Sequence, residues 1–343
     1  MSEAEAVDVR ESVKPPTLWK GLAPALGLFF LAPLVAEFLL GNLPIKLLPA
    51  LVVLAPFYGG GALLIRETVR RRGLKWPSIL LLGMAYAIFE EAFTTQSLFN
   101  PDYLKLHLGL LTPAFIPALG IGGWWTLWML NVHAVWSIAT PIALVEACVP
   151  DGARTPWLEE RGRAVVACLF LIGATMSTVI GYKQDHYLSS LAQFAGAAVV
   201  VASLAGLAFV FPRRVGALEQ GWIPSAWAMG VLALLFGSAA LFVPKDWGWG
   251  AVAALLYLDL TMIVLVLVWS RRSAWGMKHR LALAAGAALA YGWHAFLQHP
   301  AVGEMDSSIR VGNAIFLLGA VALIWFAAKR ANTEQPAATS NAA

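Results

Sequence analysis

Electrical charge is scarce in this chain. Only 13% of its 343 residues are Asp, Glu, Lys or Arg, whereas 59% are hydrophobic and the mean hydropathy is +0.70. A soluble domain of this size needs more charged surface, so the composition predicts an all-α, polytopic membrane protein in contact with the lipid bilayer. The formal net charge of +4 does not indicate a nucleic-acid partner, because the basic residues lie in short segments between apolar runs.

Cysteine and the common catalytic motifs are also scarce. The two cysteines, Cys148 and Cys168, are both predicted near cytoplasmic helix ends, where a reducing compartment disfavours a disulfide. The sequence contains no CxxC, HExxH, P-loop or GxGxxG pattern, which leaves a thiolate zinc site or a nucleotide-binding fold without support. We therefore predict no cofactor and no bound metal.

What the chain does contain is a series of long apolar runs. Bounded by charged residues, proline or glycine, they predict ten membrane helices, which cover 18–40, 46–65, 77–97, 117–148, 164–182, 189–211, 226–243, 250–270, 281–299 and 310–328. The fourth is unusually long and either tilts or begins nearer Trp124. Residues 1–17 form a polar cytoplasmic segment, 18–330 the ten-helix membrane domain, and 331–343 a disordered cytoplasmic tail.

The basic residues orient these spans. With the N-terminus inside, most of the 24 Lys and Arg residues are cytoplasmic, and those left outside are Lys46, Lys105, Lys183, Lys245 and Arg310. This positive-inside bias predicts that both termini are cytoplasmic. Because the acidic first residues are also unlike a signal peptide, we expect a multi-pass protein of a bacterial-type cytoplasmic membrane.

Two adjacent carboxylates, Glu90 and Glu91, interrupt the third apolar run. A charge at membrane depth costs about 3 kcal/mol per residue on insertion scales, and adjacent carboxylates repel, so one of them is expected to hold a proton or a cationic partner. Glu90 shares a helical face with Gly83, Tyr86, Thr94 and Ser97, and this polar face is expected to point into the bundle.

Two further polar stripes lie on other spans. Thr126, His133, Ser137 and Thr140 follow helical spacing on the fourth span, and Tyr291, His294 and Gln298 do so on the ninth. We expect the three stripes to meet in the outer half of the membrane and to form a functional site. The polar residues of each stripe could instead have a purely structural role. A lone intramembrane histidine, for example, commonly serves as a hydrogen-bonded core residue. Asp259, in the eighth span, either joins the site or bonds a neighbouring helix.

The motif residues resemble those of a known family. Glu90-Glu91, then Met129–Val132 leading to His133, then His294 with Gln298, are similar to the EExxxR, FxxxH and HxxxN motifs of the CAAX-protease and bacteriocin-processing (CPBP, or Abi) glutamic intramembrane proteases. Thr95 stands where the first motif has arginine, Met129 where the second has phenylalanine, and Gln298 where the third has asparagine. Four additional predicted spans separate the second motif from the third.

The resemblance implies a mechanism for peptide hydrolysis. Glu90, supported by Glu91, would activate a water with the help of His133, and His294 and Gln298 would stabilise the oxyanion. The substrate would be a membrane-embedded peptide. The same carboxylates and imidazoles could instead bind a divalent metal, although no HExxH-like spacing preorganises such a site.

Two other functions remain open at this point. In a proton- or cation-coupled transporter of a small solute, the same polar residues would act as a relay or a binding site. In a non-catalytic scaffold or sensor, the polar stripes would only hold helices together.

Overall fold

The computed structural model describes residues 18–210, 220–301, 303 and 305–333. The predicted polar segment 1–17, the end of the predicted sixth span at 211 and residues 334–343 of the predicted tail lie outside the described residues. Within this part of the chain, ten helices follow the ten predicted spans in order, and the prediction of an all-α polytopic membrane protein is confirmed. The cytoplasmic placement of the termini stays a prediction.

We number the continuous helices α1 to α10 in chain order. They cover 18–39 (α1), Ile45–Arg71 (α2), 76–94 (α3), Gly123–Cys148 (α4), Glu160–Asp185 (α5), Leu191–Val210 (α6), Ala226–Leu241 (α7), Trp249–Ser270 (α8), Met277–His294 (α9) and Ser307–Thr333 (α10). By length and composition, seven helices of the described chain can cross a membrane, namely α1, α2, α4, α5, α6, α8 and α10. Three shorter helices, α3, α7 and α9, complete the bundle.

Two predicted spans, the fourth and the ninth, extend well beyond the observed helix at one end. Residues 117–122 do not open α4, because Phe115–Ile116 (β1) pairs antiparallel with Ile121–Gly122 (β2) in a short hairpin. The later of the two starts considered for the fourth span, near Trp124, is therefore the better one. The ninth helix ends at His294 instead of 299, and the backbone N–H groups of Leu297 and Gln298 both donate to the His294 carbonyl in the turn that follows.

Helix α4 is the most buried of the long helices and holds the bundle together. On one side it shares a core with α1, α2 and α3, where Leu28, Phe57 and Ile138 are almost fully buried. Elsewhere it shares a second core with α9 and α10, where the Trp136 and Tyr291 rings stack with centroids 4.6 Å apart. Because α4 belongs to both cores, its polar side chains lie deep inside the protein.

The outer surface of the bundle is apolar. Helices α5, α6, α8 and α10 expose large hydrophobic side chains along their length, such as Leu171, Val199 and Leu318. In water such a surface would be unstable, but in a bilayer it is the expected face toward lipid. Polar groups that the protein keeps at membrane depth must therefore be satisfied inside the bundle.

A buried ion-pair network links the C-terminal ends of α2 and α4. The Arg66 guanidinium is fully buried and lies 2.6 Å from a Glu67 oxygen and 3.1 Å from a Glu146 oxygen. Arg70 adds a 2.7 Å contact to Glu146, and the Arg66 guanidinium stacks 3.3 Å above the Trp157 ring. The sequence predicts that Glu146 lies at the inner headgroups beside the loop with Arg154, and the structure shows that it pairs with Arg66 and Arg70. The network joins α2, α4 and the loop between α4 and α5.

Glycines in the second helix permit unusually close packing. A Cβ atom on Gly59 would lie 1.9 Å from the Phe29 carbonyl oxygen of α1, and one on Gly61 would lie 2.5 Å from the Tyr86 ring of α3. The sequence Gly59-Gly60-Gly61 predicts either close helix contact or local unwinding, and the structure shows close contact. The preceding residues, Ala55–Gly59, form a π-helical segment.

Replacing Gly59 with alanine is expected to lower the stability of the folded protein by about 1–3 kcal/mol, because backbone atoms of α1 must move away from the new methyl group. Gly196→Ala in α6 is the matched control, since its Cβ would meet nothing within 4 Å and alanine favours a helix. Thermal melting of the detergent-solubilised variants measures the difference. Equal melting temperatures for Gly59→Ala and the wild type would contradict the close packing of α1 and α2.

Candidate functional site

His133 of α4 lies between the two adjacent carboxylates of α3. Its Nδ1 atom is 3.1 Å from Glu90 Oε2, and its Nε2 atom is 2.8 Å from Glu91 Oε1. All three side chains are at least nine-tenths buried. Neighbouring residues on a helix point about 100° apart. The imidazole ring fits between these diverging carboxylates and contacts one with each nitrogen.

The Glu91 carboxylate is held from several directions. Besides His133 Nε2, the Thr95 hydroxyl donates to it at 3.1 Å, and the Ser97 hydroxyl also donates to it. Ser97 in turn accepts a 3.0 Å hydrogen bond from the Trp125 indole N–H. Thr95, which occupies the position of the motif arginine, therefore supplies a neutral donor to Glu91. This network fixes Glu91 and, through it, the orientation of the imidazole.

Glu90 is less constrained than Glu91. Its Oε2 atom lies within ion-pair distance of His133 Nδ1 but has no partner in hydrogen-bonding geometry. The hydroxyl of Tyr86, one helical turn earlier, is also buried and has no partner in good hydrogen-bonding geometry, although it lies near Glu90, and the Tyr86 ring meets the His133 ring with centroids 6.2 Å apart. Buried polar groups are nearly always paired in native proteins. Glu90 and Tyr86 therefore leave hydrogen-bonding capacity free for a ligand.

Helices α1 and α2 contribute a second layer of polar groups. The Tyr58 ring stacks on the His133 ring with centroids 6.1 Å apart, and the Tyr58 hydroxyl donates to Glu37 Oε1 at 2.6 Å. Asn42 donates to the other Glu37 oxygen, also at 2.6 Å. The sequence alone predicts an interfacial position for Glu37, close to the outer end of the first span, and it does not indicate a role for Tyr58. The position of Glu37, a carboxylate within an apolar run, could have indicated a site residue. Tyr58, a single tyrosine in an apolar segment, gave no such indication.

Four π-helical segments occur in the described chain, and each contributes to this cluster. Leu34–Leu39 carries Glu37, Ala55–Gly59 carries Tyr58, Glu90–Thr94 begins with the paired glutamates, and Val132–Ala139 carries His133. Prolines adjoin or lie within three of them, at Pro33, Pro56 and Pro141. Since π-turns are rare and are found frequently at functional sites, their convergence on one cluster indicates a functional site.

Close approach of α3 and α4 brings the cluster together. A Cβ on Gly83 of α3 would lie 3.2 Å from the Ala134 Cα of α4, so glycine at this position lets the helices come close one residue beyond His133. The absence of a side chain at Gly61 likewise leaves room for the Tyr86 ring. Because glycine has no side chain, these two positions let the helices of the site pack closely.

Other predicted site residues lie in different surroundings. The His294 ring contacts the Phe242 ring with centroids 4.9 Å apart, and its Nδ1 atom has no partner. Gln298 lies beyond the end of α9 and is half-buried. Among the contacts identified in the described residues, none joins His294 or Gln298 to Glu90, Glu91 or His133. The structure therefore brings together three of the five predicted residues.

Asp259 takes the second of its two expected roles. Its Oδ2 atom accepts a 3.0 Å hydrogen bond from the Asn131 amide, which connects α8 to α4. Ser137, one turn after His133, donates to the Val132 carbonyl and lies 3.3 Å from His133 Nδ1. Of the stripe predicted on the fourth span, His133 and Ser137 thus belong to the cluster.

The cluster also has the composition of a cation site. Glu90, Glu91 and His133 each offer a ligand atom, and these atoms all lie within 4.8 Å of one another. None of the ion pairs identified in the described chain joins Glu37, Glu90 or Glu91 to a lysine or an arginine. The site thus concentrates negative charge with one imidazole as its only identified basic partner.

These features define a polytopic, all-α membrane protein with a buried carboxylate–imidazole cluster. The chain belongs to a family described as an uncharacterized membrane protein family, whose model matches residues 26–337. No curated protein and no solved structure gives a significant match. The family match covers α2 to α10 and residues 26–39 of α1, and it supports a multi-pass membrane location.

Proposed function

We propose that this protein is an intramembrane hydrolase that cleaves a peptide bond with water activated by Glu90, Glu91 and His133. The observation that carries the proposal is the contact of one buried imidazole with both carboxylates, at 3.1 and 2.8 Å. The family description names no activity, so the support comes from the side chains and from the motif resemblance. A purely structural role accounts poorly for the unpaired Glu90 oxygen and Tyr86 hydroxyl.

The two glutamates have different surroundings and therefore different roles. Glu90, which has a free oxygen, accepts a proton from water, and the water oxygen attacks the carbonyl carbon of the scissile bond. Glu91, held by Thr95 and Ser97, keeps the imidazole in place. As the tetrahedral intermediate collapses, the C–N bond breaks and the proton passes to the leaving amine. One water is consumed, and a carboxylic acid and an amine are formed.

The oxyanion of the intermediate requires a hydrogen-bond donor. The resemblance implies His294 and Gln298 for this role, but Tyr86 is better placed because its ring contacts His133 and its hydroxyl is unpartnered. We therefore assign oxyanion stabilisation to Tyr86. The positive-inside bias predicts that the cluster lies in the outer half of the bilayer. The proposed substrate is therefore a peptide embedded in the membrane, and the proposed membrane is a bacterial-type cytoplasmic membrane.

A second candidate, proton-coupled transport, is favoured by one observation. Glu37, Tyr58 and His133 form a continuous series of contacts that ends at Glu90 and Glu91 and involves α1 to α4. Such a series of titratable groups is suited to moving a proton across part of the membrane. In this case the solute would be small, and no peptide would be cut.

The proposal is tested by comparing membranes from cells that produce the wild type, Glu90→Gln, Glu91→Gln or His133→Ala. Mass spectrometry of peptide termini is expected to reveal new termini within membrane segments for the wild type only, because each variant loses part of the water-activating group. A synthetic peptide spanning the cut is then assayed with the purified chain.

Asp259→Asn is the matched control, since it changes a membrane carboxylate that bonds α4 from outside the cluster. It is expected to cleave like the wild type. Identical termini in wild-type and Glu90→Gln membranes would refute the hydrolase. Uptake driven by a pH gradient in proteoliposomes, lost in Glu90→Gln and unaccompanied by cleavage, would establish the transporter in its place.

A further inference from the structure

We propose that Glu90 and His133 Nδ1 bind a divalent metal ion of the Zn²⁺ class, with Glu91 orienting the imidazole through Nε2. The inference reverses the expectation from sequence that no metal is bound, and it rests on the proposed function only for the chemical role of the ion. Binding itself is a property of the cluster and is measurable without turnover.

The charge of the cluster is the first argument. Two buried carboxylates face one imidazole, and Glu37 adds a third carboxyl group through Tyr58. A protonated imidazole would neutralise one carboxylate at most. Burying carboxylates without counter-charge is costly, and in this cluster the compensating charge does not come from an identified lysine or arginine pair. A divalent cation, in place of a proton on one of the carboxyl groups, supplies the missing charge.

The spacing of the ligand atoms is the second argument. Zinc bonds to nitrogen and oxygen are about 2.0–2.2 Å long, which places neighbouring ligands of a tetrahedral ion about 3.3–3.6 Å apart. The 3.1 Å separation of His133 Nδ1 and Glu90 Oε2 needs an outward movement of less than about 1 Å to admit the ion, whereas Glu91 contacts the opposite ring nitrogen, Nε2. All three residues already offer ligand atoms within 4.8 Å of one another.

The unpaired buried atoms are the third argument, and they are independent of the charge count. Glu90 is 2% exposed, and its Oε2 atom lacks a hydrogen-bond donor. The Tyr86 hydroxyl beside it also lacks a partner, so it is free to hydrogen-bond a water on the ion. A metal bound here would use an atom that is otherwise left unsatisfied at considerable cost.

The surroundings of the cluster match those of a zinc site with an orienting shell. His133 Nδ1 binds the ion beside Glu90, while Nε2 keeps Glu91 as its carboxylate partner, as metal-bound histidines commonly do. Ser97 and Thr95 hold Glu91, and Trp125 holds Ser97. A donor set of imidazole and carboxylates without sulfur suits Zn²⁺, Mn²⁺ or Fe²⁺. In the proposed hydrolase, such an ion would acidify the attacking water.

The test uses the full-length chain, purified in detergent, stripped with EDTA and titrated with Zn²⁺ in a calorimeter, with metal content measured by mass spectrometry. One equivalent per chain is expected for the wild type and for Asp259→Asn. The affinity should fall at least about 10-fold in Glu90→Gln, Glu91→Gln and His133→Ala, and also in Ser97→Ala, which removes a support of Glu91. Co²⁺ in the wild type should produce visible absorption of a tetrahedral site, a reading that needs no variant.

Failure of the metal site and failure of the hydrolase give different results. No binding to the folded wild type, or equal binding in Glu90→Gln and the wild type, would overturn the metal site. Cleavage by a chain shown to be metal-free would overturn the chemical role of the ion in hydrolysis and leave the hydrolase standing. One bound equivalent with no cleavage of any membrane peptide would support the metal site and refute the hydrolase.

Discussion

Replacing Tyr86 with phenylalanine is expected to lower the kcat of peptide cleavage about 10²–10³-fold, the usual effect of removing one donor to an oxyanion. The same change should leave thermal stability unchanged or slightly higher. The hydroxyl that is removed is buried without a partner, so its loss breaks no hydrogen bond in the folded protein. Steady-state kinetics and a melting curve on the same preparation measure both effects.

Tyr58→Phe is the matched comparison for this prediction. Its hydroxyl donates to Glu37 at 2.6 Å, so the substitution leaves a carboxylate oxygen without a donor and should cost about 1–2 kcal/mol of stability. The two substitutions therefore distinguish a hydroxyl that acts in catalysis, that of Tyr86, from one that stabilises the fold, that of Tyr58. A Tyr86→Phe variant that melts well below the wild type and retains its kcat would show that Tyr86 is structural.

The second large effect is expected at the other end of the bundle. Arg66→Met should destabilise the protein by about 3–5 kcal/mol, because it leaves Glu67 and Glu146 buried with fewer partners. It also removes the stacking on Trp157, which fastens the loop between α4 and α5. Unfolding by SDS in mixed micelles, followed by tryptophan fluorescence, gives the change in free energy.

Arg163→Met provides the control for that experiment. Arg163 pairs with Glu160 within the first turn of α5, where the glutamate is exposed, and exposed pairs contribute about 0–1 kcal/mol. A similar loss in the free energy of unfolding in both arginine variants would show that the Arg66 network stabilises the protein no more than an exposed ion pair does. Arg66 touches no residue of the carboxylate–imidazole cluster in the identified contacts, so catalysis per folded molecule should persist in Arg66→Met.

Part of the candidate site could be predicted from sequence, because charge in an apolar run is conspicuous. Glu90 and Glu91 stand out by their cost at membrane depth, and His133 stands out as the histidine of a polar stripe. The same reasoning did not favour Glu37, which lies near a predicted span end where a charge is inexpensive. Tyr58 could not be singled out, since an aromatic residue in an apolar segment is ordinary.

His294 and Gln298 illustrate the opposite case. Their spacing of four residues places them on one helical face only if the helix continues, but α9 ends at His294. Depth alone also suggested that His294 would meet the glutamates, whereas the identified contacts of its ring are with Phe242. Residues at similar depth on different helices face each other only when both helices are rotated appropriately, and depth carries no information on rotation.

The sequence by itself determined the class of protein, the number and order of the helices and the three central residues of the cluster. These depend on the free energy of moving each side chain into a membrane, which is a local property that adds along the chain. Only the tertiary structure decided that Glu37 and Tyr58 join His133 and that His294 does not. Those contacts depend on small residues such as Gly61 and Gly83, which let particular helix faces approach, and on π-turns that redirect side chains.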